Sequence, residues 1–300
     1  MRAPSCSPTR SAKARLEALR EALDEVRARC DVTARRESDP VGIVHRYEGR
    51  DDRELVALVA SAMAFGNVKA LRAKIEDALL RIGPEVAKRA DDPEDLGARL
   101  RGWKHRVYRA EDLGRLLVGA RRVQRAEGSL GEALARDLDR AGDLREALST
   151  WVGRIRREGG LDAIDAEGRR GGTHILADPG KGSAVKRLML LLRWMVRPAD
   201  GVDLGLWPID PARLLIPVDT HIHKLSRNLG LTGRADVSWK TAEEITAGLR
   251  AFDAADPVKY DFSLCHLGML QRCPSRRDPE RCEGCGVRRV CRHWDAGDRG

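Results

Sequence analysis

Between Leu55 and Phe65 the chain is apolar on every side of a helix, interrupted only by Ser61. Such a segment is stable where other elements cover its whole circumference, so it belongs at the centre of a helical assembly. Gly66 ends it, and Asp51 to Glu54 ahead of it reads as a capping box. Val68, Leu71, Ile75, Leu79 and Ile82 then mark an amphipathic helix that Gly83 and Pro84 stop. From Ser11, read as an N-cap, Leu16, Leu19, Leu23, Val26 and Cys30 form one apolar stripe on a charged helix. Further helical patterns run through Asp112–Gln124, Leu130–Leu138 and Leu144–Ile155, and residues 257–270 read as a helix near the end. Glu158 to Gly172, rich in Gly, Arg and Asp, reads as a loop, and residues 1–10 as a disordered start. Alternating strand patterns are nearly absent, so the expected class is all-α.

Size and charge narrow the function. The 300 residues exceed the usual single core, which favours two lobes or one large domain. No apolar run approaches the roughly 20 residues of a membrane span, and the N-terminus lacks the compact apolar stretch of a secretory signal. A cytosolic protein is expected. The net charge of +9 comes almost entirely from 45 Arg against 10 Lys. That excess is equally consistent with a nucleic-acid surface and a merely solvated one.

Pro179-Gly180-Lys181-Gly182 forms a tight turn ahead of a helix read as Ser183 to Val196. Such glycines expose backbone N–H groups beside a helix N-terminus, a seat for phosphate, although an ordinary loop has the same pattern. Lys186 stands in the first turns of this apolar helix, with Arg193 and Arg197 further along. Near apolar walls and other cations a lysine's charged form is disfavoured, which frees an amine nucleophile; the bland alternative is a stem lying along the core. Downstream, Asp219 follows the extended run Leu215-Ile-Pro-Val, where it caps the next helix, stands as a fixed carboxylate at a cleft, or does both. His221 and His223 sit two apart, a spacing that points helical side chains away from one another and argues against a shared metal.

The cysteines crowd the C-terminus: Cys273-x8-Cys282-x2-Cys285-x5-Cys291. In a reducing compartment four such thiols suggest a metal, either tetrahedral zinc or a four-iron cluster. Zinc ribbons usually bring two Cys-x2-Cys knuckles, and only one is present. Cys6, Cys30 and Cys265 are read as structural. Arg276, Arg277, Arg281, Arg288 and Arg289 lie inside the loop, where they offset thiolate charge or contact phosphate.

With these residues in view, roughly residues 50 to 292 resemble the helix-hairpin-helix (HhH-GPD) DNA glycosylases, the superfamily of endonuclease III. The Pro179–Gly182 turn matches the hairpin, Ile216-Pro-Val-Asp219 matches the aspartate segment, and the last three cysteines match the iron–sulfur loop. The position that usually carries the lysine is Ala184 here. Lys186, 33 positions before Asp219, is similar instead to the archaeal 8-oxoguanine DNA glycosylases. Lys186-Arg187, Arg193 to Arg197, Asp203 to Trp207 and Pro217 to His221 together resemble the bacterial DUF2400 family of unknown function. Where endonuclease III-like enzymes end the central helix with a base-replacing glutamine, this chain has Ala64 followed by Phe65-Gly66-Asn67.

The resemblance implies a two-lobed fold: residues 50–200 as a multi-helix lobe ending in the hairpin region 176–196, and residues 11–49 with 201–300 as a lobe carrying the iron–sulfur loop 273–291. It implies a monomeric base-excision DNA glycosylase with AP-lyase activity, acting on a damaged base, oxidised purines among them, or an abasic site in duplex DNA of the bacterial nucleoid. Lys186 and Asp219 would be catalytic. Pro179, Gly180, Lys181, Gly182, Ser183 and His221 would bind DNA. Cys273, Cys282, Cys285 and Cys291 would hold a 4Fe-4S cluster, with zinc as the alternative. The rival readings are a monofunctional glycosylase and a non-catalytic iron–sulfur DNA-binding protein.

Overall fold

The computed structural model of the protein describes residues 10–166 and 168–294. The expectation of disorder over residues 1–10 lies outside the described residues except for Arg10, and Cys6 lies outside them entirely. The described residues form sixteen α-helices and one short hairpin. In chain order these are α1 (Arg10–Ala28), α2 (Val32–Ser38), α3 (Val41–Val44), α4 (Arg50–Ala62), α5 (Val68–Ile82), α6 (Val86–Ala90) and α7 (Pro93–Leu100). The hairpin follows as β1 (Lys104–His105) and β2 (Tyr108–Arg109), paired antiparallel. The chain continues through α8 (Ala110–Glu127), α9 (Leu130–Ala141), α10 (Leu144–Gly159), α11 (Leu161–Ala166) and α12 (Gly171–Ile175). It ends with α13 (Lys186–Val196), α14 (Thr220–Leu229), α15 (Trp239–Arg250) and α16 (Asp261–Leu270). None of the described helices is long and apolar enough to cross a membrane.

The all-apolar segment is the central helix. Every residue of α4 from Glu54 to Ala62 is buried, with α13 along one side and α3, α6 and α8 around it. One continuous cluster of buried side chains runs from Leu19 of α1 to Val287. The amphipathic readings of α5 and α8–α10 correspond to helices whose apolar positions point into this cluster.

Three local readings need correction. Glu54 does not close a capping box, because Gly49 is the N-cap of α4 and makes no side-chain cap. Glu54 is instead fully buried and accepts hydrogen bonds from Gln124 Nε2 at 2.6 Å, Leu130 N at 2.9 Å and Trp207 Nε1 at 2.9 Å. Its carboxylate therefore satisfies an otherwise unpaired N–H group at the start of α9. The stretch read as a loop over residues 158–172 holds α11, the end of α10 and the start of α12. Asp165 organises it, accepting from Thr173 N at 3.0 Å and Arg156 Nη2 at 2.7 Å. A side chain at Gly171 would stand 2.4 Å from Asp112 Oδ1, so that glycine serves close packing and not flexibility. Ser11, read as an N-cap, lies inside α1.

Candidate active site and cysteine loop

The helix after the Pro-Gly-Lys-Gly turn starts at Lys186, three residues later than its apolar pattern suggests. Val185 before it has φ 38°, a left-handed conformation that a β-branched residue rarely adopts and that breaks the helix there. Ser183 bridges to Ser238 at the start of α15. Lys186 is consequently the first residue of α13, at its N-terminal mouth and not inside its core-facing stretch.

Asp219 reaches the same place from the other direction. Leu214 to Val218 run as a buried extended segment, with Ile216 N donating to Thr246 Oγ1 at 3.0 Å. The Oδ1 of Asp219 caps α14, accepting from His221 N and Ile222 N at 2.9 Å each. Its other oxygen, Oδ2, faces Lys186 Nζ at 3.6 Å. The two side chains are 28% and 22% exposed, so the pair is accessible without being free in water. Both readings of Asp219 hold together: one oxygen caps, the other meets the lysine.

A cavity of about 120 Å³ opens beside Lys186, walled by Leu58, Ser61 and Ala62 of α4 and by Ile175 and Leu176. Arg187, to which the sequence assigns no role, holds this wall. Its guanidinium donates to Ala62 O at 2.6 Å, to His174 O and to Tyr108 Oη. One cation thus sits on the C-terminal ends of α4 and α12, where carbonyls lack helical partners. Tyr108 is fully enclosed, and burial pushes its phenol up to about 12 against the pull of Arg187. Phe65, which follows Ala64 at the end of the central helix, is half-buried in an edge-to-face cluster with Tyr108 and His174, with Arg106 and Arg187 over its ring at 5.3 and 5.4 Å.

The other cations of α13 do not crowd Lys186 as expected. Arg193 pairs with Asp203 at 3.1 Å and Asp261 at 2.5 Å, and Arg197 pairs with Asp203 and Asp256, all within a buried network. Burial opposes the charge of Arg193, but the carboxylates of Asp203 and Asp261 outweigh it and hold the guanidinium above its ordinary range. Burial also pushes Asp261 up to about 6.

The turn at Pro179–Lys181 is a single 3-10 turn held by α10. Its N–H groups are mostly spent inside it: Gly180 N donates to Asp178 Oδ1 at 2.8 Å, Lys181 N to Asp178 O at 3.3 Å and Gly182 N to Pro179 O at 3.0 Å. What it presents outward is the exposed backbone of Gly180 with the exposed residues Lys181 and Ser183. Gly182 has φ 87°, the left-handed turn for which glycine is suited. His221 is exposed next to Asp219, whereas His223 Nε2 lies 3.0 Å from Arg234 O, a hydrogen bond that occupies it.

The six described cysteines are free thiols. Cys282 and Cys291 are buried and Cys273 and Cys285 half-buried, and all four lie near enough for each of the other three to raise Cys273. Burial is the larger cause, pushing Cys273 up to about 11. One hydrogen-bond donor among the described residues reaches a sulfur of the loop: Asn228 Nδ2 lies 3.3 Å from Cys273 Sγ, while Arg288 N donates to the backbone oxygen of Cys285 at 3.0 Å. Burial raises the thiols of Cys285 and Cys291 as well, which disfavours the thiolate, the form that binds a metal. As they stand, no three His, Cys, Asp or Glu side chains among the described residues meet as a metal-binding group. The loop arginines are engaged locally: Arg289 with Glu25 of α1 at 2.8 Å, Arg281 with Asp278 at 3.4 Å, and Arg277 and Arg288 over the Trp294 ring at 4.2 and 3.9 Å.

Compared with known proteins, the chain matches the model of one family, described as a protein of unknown function (DUF2400), over residues 39–270. The match includes Lys186 and Asp219 and stops before Cys273. No curated protein and no solved structure matches.

Proposed function

The chain belongs to the DUF2400 family of proteins of unknown function, and on that premise we propose that it is a base-excision DNA glycosylase with AP-lyase activity, built on the two-lobed helix-hairpin-helix plan. The observation that carries the reading is the 3.6 Å approach of Lys186 Nζ to Asp219 Oδ2 beside a cavity, four residues after the last glycine of a basic Pro-Gly-Lys-Gly turn. A damaged base must leave the stack before its glycosidic bond can be attacked. The cleft at Lys186 would take the extruded nucleotide, while Lys181, Ser183 and the bare backbone of Gly180 would lie against the phosphates of duplex DNA. His221, exposed beside Asp219, would add a contact.

In the reaction, Lys186 as a neutral amine forms a bond to C1′ while the C1′–N bond breaks and its electron pair leaves with the base. One amine proton ends on the departing base. The second ends on O4′ as the sugar ring opens, leaving a neutral Schiff base. Asp219 Oδ2 faces the positive charge that develops on the sugar and carries the proton between amine and base. Arg187 keeps the wall of the cavity in place.

Cys273, Cys282, Cys285 and Cys291 would hold a 4Fe-4S cluster, which when bound would order the C-terminal loop. Zinc is the alternative occupant of the same thiolates. The protein would act as a monomer in the bacterial cytoplasm, on the nucleoid. Trapping by borohydride on duplexes with an abasic site or single defined lesions, oxidised purines first, tests the reading. A covalent adduct at Lys186 supports it. Base excision without an adduct would make the enzyme monofunctional, and lesion binding without excision would make it a non-catalytic DNA-binding protein.

A further inference from the structure

Lys186 opens α13 and Asp219 caps α14, and a third helix, α16, touches both of these helices away from the pair. Arg193 lies seven residues after Lys186, two turns further along the same face of α13. Its guanidinium donates to Asp261 Oδ2 at 2.5 Å and to Asp203 Oδ1 at 3.1 Å. All three side chains are buried, and Asp261 is the first residue of α16. Towards the other end of that helix, a side chain on Gly268 would begin 3.4 Å from His221 Cβ, in the first turn of α14. Between these two contacts stands Cys265, one turn after Asp261. Burial raises its thiol, the charge of Asp219 raises it further and that of Lys186 opposes both, so this turn of α16 lies beside the pair.

The three helices close a triangle. Arg193 ties α13 to α16, α16 seats on α14 at Gly268, and the approach of Lys186 to Asp219 forms the third side. An apolar contact between α13 and α16 would tolerate small slips, whereas a guanidinium fork answered by two carboxylates fixes one register. Asp203 is also held by Arg197 on the next turn of α13, which keeps the fork from turning. A buried bridge of this kind adds little net stability over apolar residues of the same volume, so its use lies in geometry.

We propose that Arg193 is the positioning residue of the Lys186–Asp219 pair: by holding Asp261 it fixes α13 on α16, and through the seat of α16 at His221 it sets the separation of Lys186 Nζ from Asp219 Oδ2. The proposal rests on the reading of the pair as the reacting groups. A misplacement of about 1 Å in such groups can cost about 100-fold in rate.

The test follows adduct formation by the full chain in single turnovers on abasic duplex DNA, with borohydride as the trap. Arg193→Lys keeps the buried positive charge but cannot answer two carboxylates as a fork. It is expected to slow trapping by about 10- to 100-fold with duplex binding unchanged. On the residual rate of Asp219→Asn the same change should cost much less, because both substitutions act through one contact. Equal slowing in the two backgrounds would make Arg193 a residue of folding alone and overturn the proposal. If Arg193→Lys fails to fold, Gly268→Val carries the test, since it leaves the buried charges intact and presses on His221. It should slow trapping as well, and a folded Gly268→Val with the full rate would overturn the proposal. An adduct that forms as fast with Arg193→Lys would remove the role of Arg193 and leave the pair standing. An unaltered protein that forms no adduct would overturn the reading of the pair and this proposal with it.

Discussion

The Lys186–Asp219 pair and the cysteine loop are organised in opposite ways. The pair joins residues 33 positions apart, and the core does the joining: α13 lies on the all-apolar α4, while the buried segment ahead of α14 delivers Asp219. The four cysteines fall between residues 273 and 291, on turns that lean against α1 and the end of α14: Val287 enters the core, Arg289 pairs with Glu25, and Asn228 donates to Cys273. Proximity in sequence is thus a poor guide to how firmly a site is built. A site assembled by buried helices is set by the fold, whereas a site strung on a loop depends on whatever binds there.

The sharpest way to break this contrast is at the lysine. Lys186→Gln should abolish borohydride trapping on abasic duplex DNA, and Lys181→Gln should leave it in place with weaker binding, because Lys181 stands exposed on the turn. If Lys181→Gln removed the adduct and Lys186→Gln kept it, the nucleophile would belong to the turn and not to the helix mouth.

Asp219→Asn comes next in size. Asn caps nearly as well as Asp, so the α14 cap through His221 N and Ile222 N survives and the melting curve stays close to native. The charge of Oδ2 is lost, which should lower base excision by about 100-fold or more with lesion binding retained. Unchanged activity would reduce Asp219 to a cap and favour a non-catalytic protein.

Cys282→Ser probes the other region. It should cost the bound metal and speed amide hydrogen exchange from about residue 273 onward, while exchange in α4 and α13 stays slow. Uniform acceleration across α4 would show that the loop and the core are one cooperative unit, and the contrast between the two regions would fall.

How much of this could be read from the chain follows the same division. Segments whose apolar residues recur at helical spacing, α4, α5 and α8 to α10, were legible because burial of one face is a local, repeating signal. Glu54 was not: its pattern matches a capping box, but its partners Gln124, Leu130 and Trp207 lie 70, 76 and 153 positions away. Residues 158–172 misled because glycine and charge usually mark a loop, whereas here Gly171 admits a close contact and Asp165 ties the turns. Lys186 and Asp219 stood out through motif resemblance, and their contact is a tertiary fact. Arg187 stood out only within the Lys186-Arg187 pair of the family resemblance, with no role attached, and Asn228 carried no signal, since an asparagine near a helix end reads as a stop.

The smallest expected effect concerns the turn. Its phosphate seat was expected from free N–H groups, but Gly180 N is already held by Asp178 Oδ1 at 2.8 Å. The attraction left for DNA is the charge of Lys181 and the absence of a side chain at Gly180. A side chain there would begin 3.0 Å from Asp178 Oδ1 and 3.2 Å from Ser149 Oγ, close enough that these groups must give slightly. Gly180→Ala therefore measures the steric part, and Gly180→Asp adds a carboxylate facing the same phosphates. With the unaltered protein, log affinity should fall with log salt by about 0.9 per phosphate neutralised. Gly180→Asp should weaken duplex binding several-fold more than Gly180→Ala, by the same factor for lesion and undamaged DNA. The gap between the two variants should close as salt rises, because an exposed charge is screened over about 10 Å at 0.1 M ionic strength. Equal weakening by both variants at every salt would mean that the turn acts through its shape alone.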